Sequence, residues 1–277
     1  MRRKGWIENG LVYLVLLAGG TFSLLPLIWL VRSSLMDMGQ IFEMPPVWIP
    51  KPFRLSNFSE ALTILPFGKY FVNTSIIVLF TMIGVIVTCS LSAYSFARMK
   101  WRGRDLIFGL LLSSMMLPYA VTLIPTFVGW SKLGLTNTFI PLIAPAWFGG
   151  GAFNIFLLRQ FYLSIPRELD EAAYVDGASH WRIFISIIMP LTKPALIVVG
   201  LFTFLASWND FLGPLVYLNS ESKYTLALGL QQFKGMYAAE WHLMMAAATV
   251  VLAPAIIVFF IGQKYFVEGI TLTGIKA

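Results

Sequence analysis

Two short runs in this chain hold residues suited to chemistry. Trp208-Asn209-Asp210 places an indole ring, an amide and a carboxylate side by side. Such groups suit a sugar, because a ring face covers its apolar side while amide and carboxylate take its hydroxyls. Asn154, just after Gly149-Gly150-Gly151, is a further polar candidate. The second run is Ser164-Ile-Pro-Arg-Glu-Leu-Asp-Glu-Ala-Ala-Tyr-Val-Asp-Gly177. Its acids precede two small residues, which describes a low-profile helix that another surface approaches closely. Tyr174 and Val175 add an apolar contact beside Ala172 and Ala173. Covalent and metal chemistry are poorly supplied. Cys89 is the single cysteine, and the two histidines, His180 and His242, lie in segments far apart in the chain. HExxH and GxSxG are absent, and so is the nucleotide-binding GxxxxGK[ST]. No metal site and no catalytic residue is expected.

The elements that must position these residues follow from composition. Of 277 residues, 58% are hydrophobic and 12% are charged. That leaves too little polar surface for a water-soluble enzyme. Five stretches carry no charge at all: 11–31, 70–97, 106–131, 133–158 and 243–263. A sixth, 194–220, carries only Asp210. A bilayer core takes roughly 20 apolar residues as a helix, and backbone polar groups in lipid must bond within the segment. The fold class expected is therefore all-α: a polytopic membrane protein of six transmembrane helices, forming one domain over residues 1–277. Arg2, Arg3 and Lys4 precede the first run, but it is longer than a secretory h-region and no small-residue cleavage site follows, so an uncleaved span is expected.

Orientation follows from the basic residues. With six spans both termini share one side, together with segments 98–105 and 159–193. That side holds 13 of the 20 Lys and Arg. Positive residues favour the cytoplasm, so both termini and the 159–193 loop are expected there. The net charge of +7 is a topology signal in this reading. The one dense cluster, Arg98, Lys100, Arg102 and Arg104, sits between two spans, which speaks against a nucleic-acid patch.

The 159–193 loop is patterned. Ser164 fits an N-cap and Pro166 a first turn. Glu168, Asp170 and Glu171 lie where the helix dipole favours acids. Gly177 fits a left-handed stop. Ser179 then caps a second short helix from His180 to Met189, ending at Pro190. The product is helix, glycine turn, helix.

This loop resembles a known motif. Glu171-Ala172-Ala173, three residues, Gly177, nine residues and Ile187-x-Met189-Pro190 are similar to the EAA loop of permease subunits in bacterial ABC importers. The family pattern has leucine where Met189 stands. Phe156-Leu-Leu-Arg-Gln-Phe161, Ile165-Pro-Arg-Glu-Leu169 and Tyr174-Val-Asp-Gly-Ala-Ser179 resemble its carbohydrate branch, in particular the maltose-type second permease. So do Pro45-Pro-Val-Trp-Ile-Pro50, Ser207-Trp-Asn-Asp210 and Gln263-Lys-Tyr-Phe-Val267.

The resemblance implies a function. The loop would seat in a cytoplasmic ATPase, with Glu171, Ala172, Ala173, Tyr174, Asp176 and Gly177 as coupling residues. A second permease, two ATPase subunits and an extracytoplasmic binding protein are the implied partners, and a carbohydrate the implied substrate. ATP and Mg would be bound by the ATPases and no cofactor by this chain. Asn154, Trp208, Asn209 and Asp210 are candidates for the translocation path.

Other readings stay open at this stage. Asp210 also fits the outer end of a shorter helix, and the three glycines fit close helix packing. The proline-rich segment 32–69 suits either a surface receiving a binding protein or a rigid cover. Trp6, Trp29, Trp101 and Trp241 fall at span ends as interface anchors. An ion-coupled secondary transporter without an ATPase is the alternative function. It calls for intramembrane ionisable relays or repeats, of which only Asp210 is visible.

Overall fold

The computed structural model describes residues 2–235 and 240–274, with side chains for 9–235 and 240–265. Those residues form helices and connecting turns with no strand among them. In chain order the α-helices are α1 (Arg2–Ser34), α2 (Met38–Phe42), α3 (Ser56–Ile64), α4 (Phe67–Arg98), α5 (Arg104–Ser114), α6 (Tyr119–Lys132), α7 (Ile140–Trp147) and α8 (Ala152–Ser164). They continue as α9 (Glu168–Val175), α10 (His180–Ile183), α11 (Met189–Leu191), α12 (Lys193–Trp208), α13 (Leu212–Tyr217), α14 (Leu226–Gln232) and α15 (Trp241–Gly274). The side chain of Trp6 and those of residues 266–267 lie outside the described residues.

Among the described residues, four helical stretches are long and apolar enough to cross a bilayer: Asn9–Ser34, Phe67–Arg98, Ile140–Ser164 and Trp241–Tyr265. Two bent pairs, Arg104–Ser114 with Tyr119–Lys132 and His180–Leu191 with Lys193–Trp208, bring the number to six if each is one span. The sequence reading of the spans thus needs correction at three places. The first pair turns by 98° at residues 115–118, where Pro118 keeps its predecessor out of the helical region. Gly149, Gly150 and Gly151 all have positive φ and interrupt the fourth segment between α7 and α8. The fifth segment, expected through residue 220, ends as α12 at Trp208.

The chain packs as two units. One comprises Met1–Phe67 and Gly229–Ala253. Within it, the amide of buried Asn57 donates to the carbonyls of Ser34 and Met36 at 2.9 and 2.7 Å. Arg32 donates to the carbonyl of Val47 at 2.5 Å, with its guanidinium 4.2 Å from the Trp29 ring. These bonds give the proline-rich segment a defined course after α1. Apolar residues of α1 such as Leu11, Leu17 and Phe22 are exposed, as suits a helix solvated by lipid.

The other unit comprises Gly68–Leu228 and Pro254–Ala277 and holds a continuous core. Helix α4 is central to it, contributing Val85, Cys89, Ala93, Tyr94 and Ala97. α7, α8, α9, α10 and α12 pack around these residues through Ala146, Ile155, Leu158, Ala173, Ile183 and Val199. The glycine break lets α7 and α8 approach α4. A Cβ on Gly150 would stand 2.4 Å from the Cys89 Sγ, and one on Gly84 would stand 2.7 Å from the Trp147 ring. The Thr88 hydroxyl donates to the carbonyl of Ala146 at 2.9 Å, filling one of the acceptors that the end of α7 leaves over. Of the three glycines, Gly150 is the one whose missing side chain permits this close approach to α4.

Candidate functional site

The patterned loop folds as helix, glycine turn and helix. α9 begins with three acids, Glu168, Asp170 and Glu171, in its first turn. It ends in a Schellman arrangement: the Ala178 N–H bonds to the Ala173 carbonyl at 2.9 Å, and the Gly177 N–H to the Tyr174 carbonyl at 3.0 Å. Gly177 has φ +78°, a conformation that penalises any side chain. Ser179 caps α10 by accepting the Arg182 N–H at 3.3 Å. Two local expectations are corrected. Ser164 does not cap α9; it closes the last turn of α8, where its hydroxyl donates to the Phe161 carbonyl at 2.7 Å. The second helix does not stop at Pro190. It runs on through a π-helical turn, Phe184–Ile188, into α11 and closes at Leu191, one residue past the proline.

The two faces of α9 differ sharply. Glu171, Ala172, Tyr174, Asp176 and Gly177 are exposed, and Val175 is 87% exposed. Ala173 is 8% exposed and belongs to the core with Tyr94, Ile183 and Phe184. This corrects the reading of Ala172 and Ala173 as one docking surface. Only Ala172 faces outward; the small side chain at 173 brings α9 close to the chain's own spans. Tyr174 lies edge-on to the His180 ring, with centroids 5.2 Å apart, and its hydroxyl is hydrogen-bonded to the His180 Nδ1. Partial burial, and after it the charge of Asp170, push the Tyr174 phenol above its ordinary value. Beside it, Arg98, Lys100, Arg167, Asp170, Glu171, Tyr174 and His180 line a surface recess of about 390 Å³.

Two residues that sequence reasoning passed over dominate the inner face. The Arg98 side chain is 3% exposed and stands 3.2 Å from the Asp170 carboxylate, itself 11% exposed. Arg98 had served only as a topology charge and Asp170 only as a helix-start acid. A signal was present: Asp170 precedes Ala173 by three residues, the spacing that puts both on one helix face.

The translocation candidates do not form one constellation. Trp208 is 4% exposed, stacked on Phe204 at 5.3 Å and edge-on to Phe71 at 5.8 Å. The reading of its ring as an open sugar platform is corrected, since aromatic neighbours already occupy it. Asn209 is exposed but donates its amide back to the Leu205 carbonyl at 2.8 Å. Asp210 lies just past the end of α12 and accepts the Gly213 N–H at 3.0 Å, capping α13. Asn154 donates to the Gly150 carbonyl at 3.0 Å, bracing the glycine turn. These polar groups finish local backbone turns, as the shorter-helix reading of Asp210 anticipated.

Long apolar helices with exposed apolar surfaces, plus a polar helix-turn-helix, are the features of a helical membrane protein. The chain belongs to the family of binding-protein-dependent transport system inner membrane components, whose model matches residues 81–272. That membership supports the permease reading over the ion-coupled alternative. Relatives include the probable ABC transporter permease protein YurM of Bacillus subtilis (strain 168). It is 32% identical over 279 residues, covering 99% of this chain and 91% of that protein. The diacetylchitobiose uptake system permease protein NgcG of Streptomyces coelicolor is 31% identical over 243 residues, covering 87% and 80%. The arabinooligosaccharides transport system permease protein AraQ of Halalkalibacterium halodurans is 31% identical over 254 residues, covering 91% and 90%. The fold is also that of a chain in the crystal structure of a bacterial ABC transporter importing the polysaccharide alginate. The TM-score is 0.83 at 24% identity, over 96% of this chain and 99% of that one.

Proposed function

We propose that this chain is a permease subunit of an ATP-driven carbohydrate importer. It pairs with a second permease, receives sugar from an extracytoplasmic binding protein and is driven by two cytoplasmic ATPases that hold ATP and Mg. It spans the membrane six times with both termini inside, and α9 to α11 form its cytoplasmic coupling loop. Family membership and the sugar substrates named for several relatives support this reading. The observation that carries the coupling role is the two-sidedness of α9. Its inner face is fixed in the core through Asp170 and Ala173, while Glu171, Ala172, Tyr174, Val175 and Asp176 stand outward beside the Gly177 turn. A helix held so firmly on one side and bare on the other suits transmission of force from a partner.

The recognising chemistry follows from these residues. Ala172 gives room for close approach, Val175 supplies exposed apolar surface, and Glu171 offers a carboxylate to a basic residue or backbone donor. Asn154, Asn209 and Asp210 remain candidates for facing the path, and Trp208 lies buried just ahead of the last two at the end of α12.

The test is reconstitution with candidate ATPase and binding-protein subunits from the same organism. Uptake that requires both ATP and the binding protein, with residues 168–177 labelled only from the inside after cysteine substitution, supports the assignment. Uptake that follows an ion gradient without ATP refutes it, and so does labelling of the loop from the outside.

A further inference from the structure

The last residue of α4 is the point where the span core meets the loop. Arg98 directs its guanidinium at three segments. One Nη donates to the carbonyls of Tyr162 and Ile165, at 2.6 and 2.8 Å. These carbonyls lie at the C-terminal end of α8, where the helix dipole favours a cation, and that of Tyr162 also accepts the Ile165 N–H at 3.3 Å. The other Nη stands 3.2 Å from the Asp170 carboxylate in the first turn of α9. Both side chains are nearly out of solvent, so the pair is little screened. A planar guanidinium can serve such a fork of acceptors; a single ammonium cannot reach all three with the same alignment. A second bond repeats the tie: Arg167, just ahead of α9, donates to the Ala97 carbonyl at 3.5 Å.

We infer that Arg98 and Asp170 are positioning residues for energy coupling: their ion pair locks α9 to the ends of α4 and α8, so that a displacement of the loop moves the spans as one body. The inference rests on the coupling role proposed for the loop and adds the element that hands force onward. Both side chains are largely buried, at 3% and 11% exposure, on the floor of the recess beside Glu171 and Tyr174, and the inference assigns them to the joint rather than to docking. Weakening it lets the loop yield under load, so ATP is hydrolysed without sugar being moved.

The test uses the complete transporter in liposomes, with Arg98→Lys, Asp170→Asn and Asp170→Glu. Sugar moved per ATP hydrolysed is the readout, because a general loss of folded protein lowers both rates and leaves their ratio unchanged. The expected result for Arg98→Lys and Asp170→Asn is copurification of the ATPases at the wild-type level, continued ATP hydrolysis, and a ratio lower by about tenfold, in the range of ordinary inter-site coupling. Asp170→Glu, which keeps the charge, restores part of the ratio. An unchanged ratio overturns the inference. Loss of the ATPases from the variants alone overturns it as well, by assigning the pair to docking. Failure of the unmodified chain to hold the ATPases instead removes the coupling reading itself.

A second measurement does not depend on how the variants fold. Spin labels at Lys100 and Glu168, both exposed, are placed in a chain whose only native cysteine, Cys89, is buried. The interlabel distance is expected to be the same in the nucleotide-free and ATP-bound transporter. A shift between those states shows a joint that flexes during the cycle, which the inference forbids.

Discussion

The Tyr94 hydroxyl, in the last turns of α4, donates to the backbone carbonyl of His180 at 3.2 Å, and the Tyr94 ring packs on Phe184 with centroids 5.1 Å apart. One side chain thus closes the end of a span against the first turn of α10. Together with Arg98 it makes the C-terminal end of α4 the seat of the whole loop.

The two functions of Tyr94 separate by substitution. Tyr94→Phe loses one hydrogen bond and should cost about 1 kcal/mol. Tyr94→Ala also empties a site that is 5% exposed, and should cost about 3–5 kcal/mol. Thermal unfolding of the purified complex in detergent distinguishes them. Equal shifts for both variants contradict the packing role of the ring.

Gly150 is required for two reasons. Its φ of +60° strains any side chain, and a Cβ there would meet the Cys89 Sγ at 2.4 Å and the Val85 Cα at 3.1 Å. Gly150→Ala should destabilise by about 2–5 kcal/mol, adding backbone strain to overpacking. Cys89→Ala introduced with it should recover only part, since the backbone of α4 cannot withdraw. Full recovery of the unfolding midpoint in the double variant argues that the sulfur alone sets the limit.

Neighbouring alanines of the loop should respond in opposite ways. Ala173→Arg puts a cation into the core and is expected to abolish a monodisperse peak in size-exclusion chromatography. Ala172→Arg, on the outer face, should leave insertion and monodispersity intact while removing ATPase copurification. Gly177→Pro should resemble Ala172→Arg in losing the ATPase, because it destroys the Schellman turn that sets the angle of α9 and α10. Retention of the ATPase at the wild-type level in both of these variants contradicts the docking assignment.

Trp208 and Asp210 should report on structure and transport respectively. Trp208→Ala leaves a hole among Phe71 and Phe204 and should cost about 3–5 kcal/mol of stability. Asp210→Ala removes the cap of α13, worth about 0.5–2 kcal/mol. Asp210→Asn keeps a side-chain acceptor for Gly213 and should be nearly neutral for folding. Any fall in uptake by Asp210→Asn at preserved stability then marks a role of the charge in the path. Wild-type affinity and rate remove Asp210 from it.

The sequence by itself determined the class of the molecule. Long uncharged runs admit only helices in a bilayer, so the all-helical character and the rough positions of the spans could be read directly. The loop was legible because Gly177 and Ser179 act through their own backbone neighbourhood, and the cap at Ser179 and the turn at Gly177 depend on no distant contact. What local pattern could not reveal was direction. Nothing in Glu171-Ala172-Ala173 states which alanine points outward; that depends on where α4 and α10 lie. Trp208 read as a ligand platform because its chemistry permits one, and only the arrival of Phe71 from α4 decided that its ring is structural. Arg98 and Asp170 are 72 positions apart, and a buried ion pair at such separation is made by the packing of three helix ends. Hydropathy and capping are properties of neighbouring residues and so survive in the linear text, whereas burial and partnership are properties of the assembled core and exist only once it has formed.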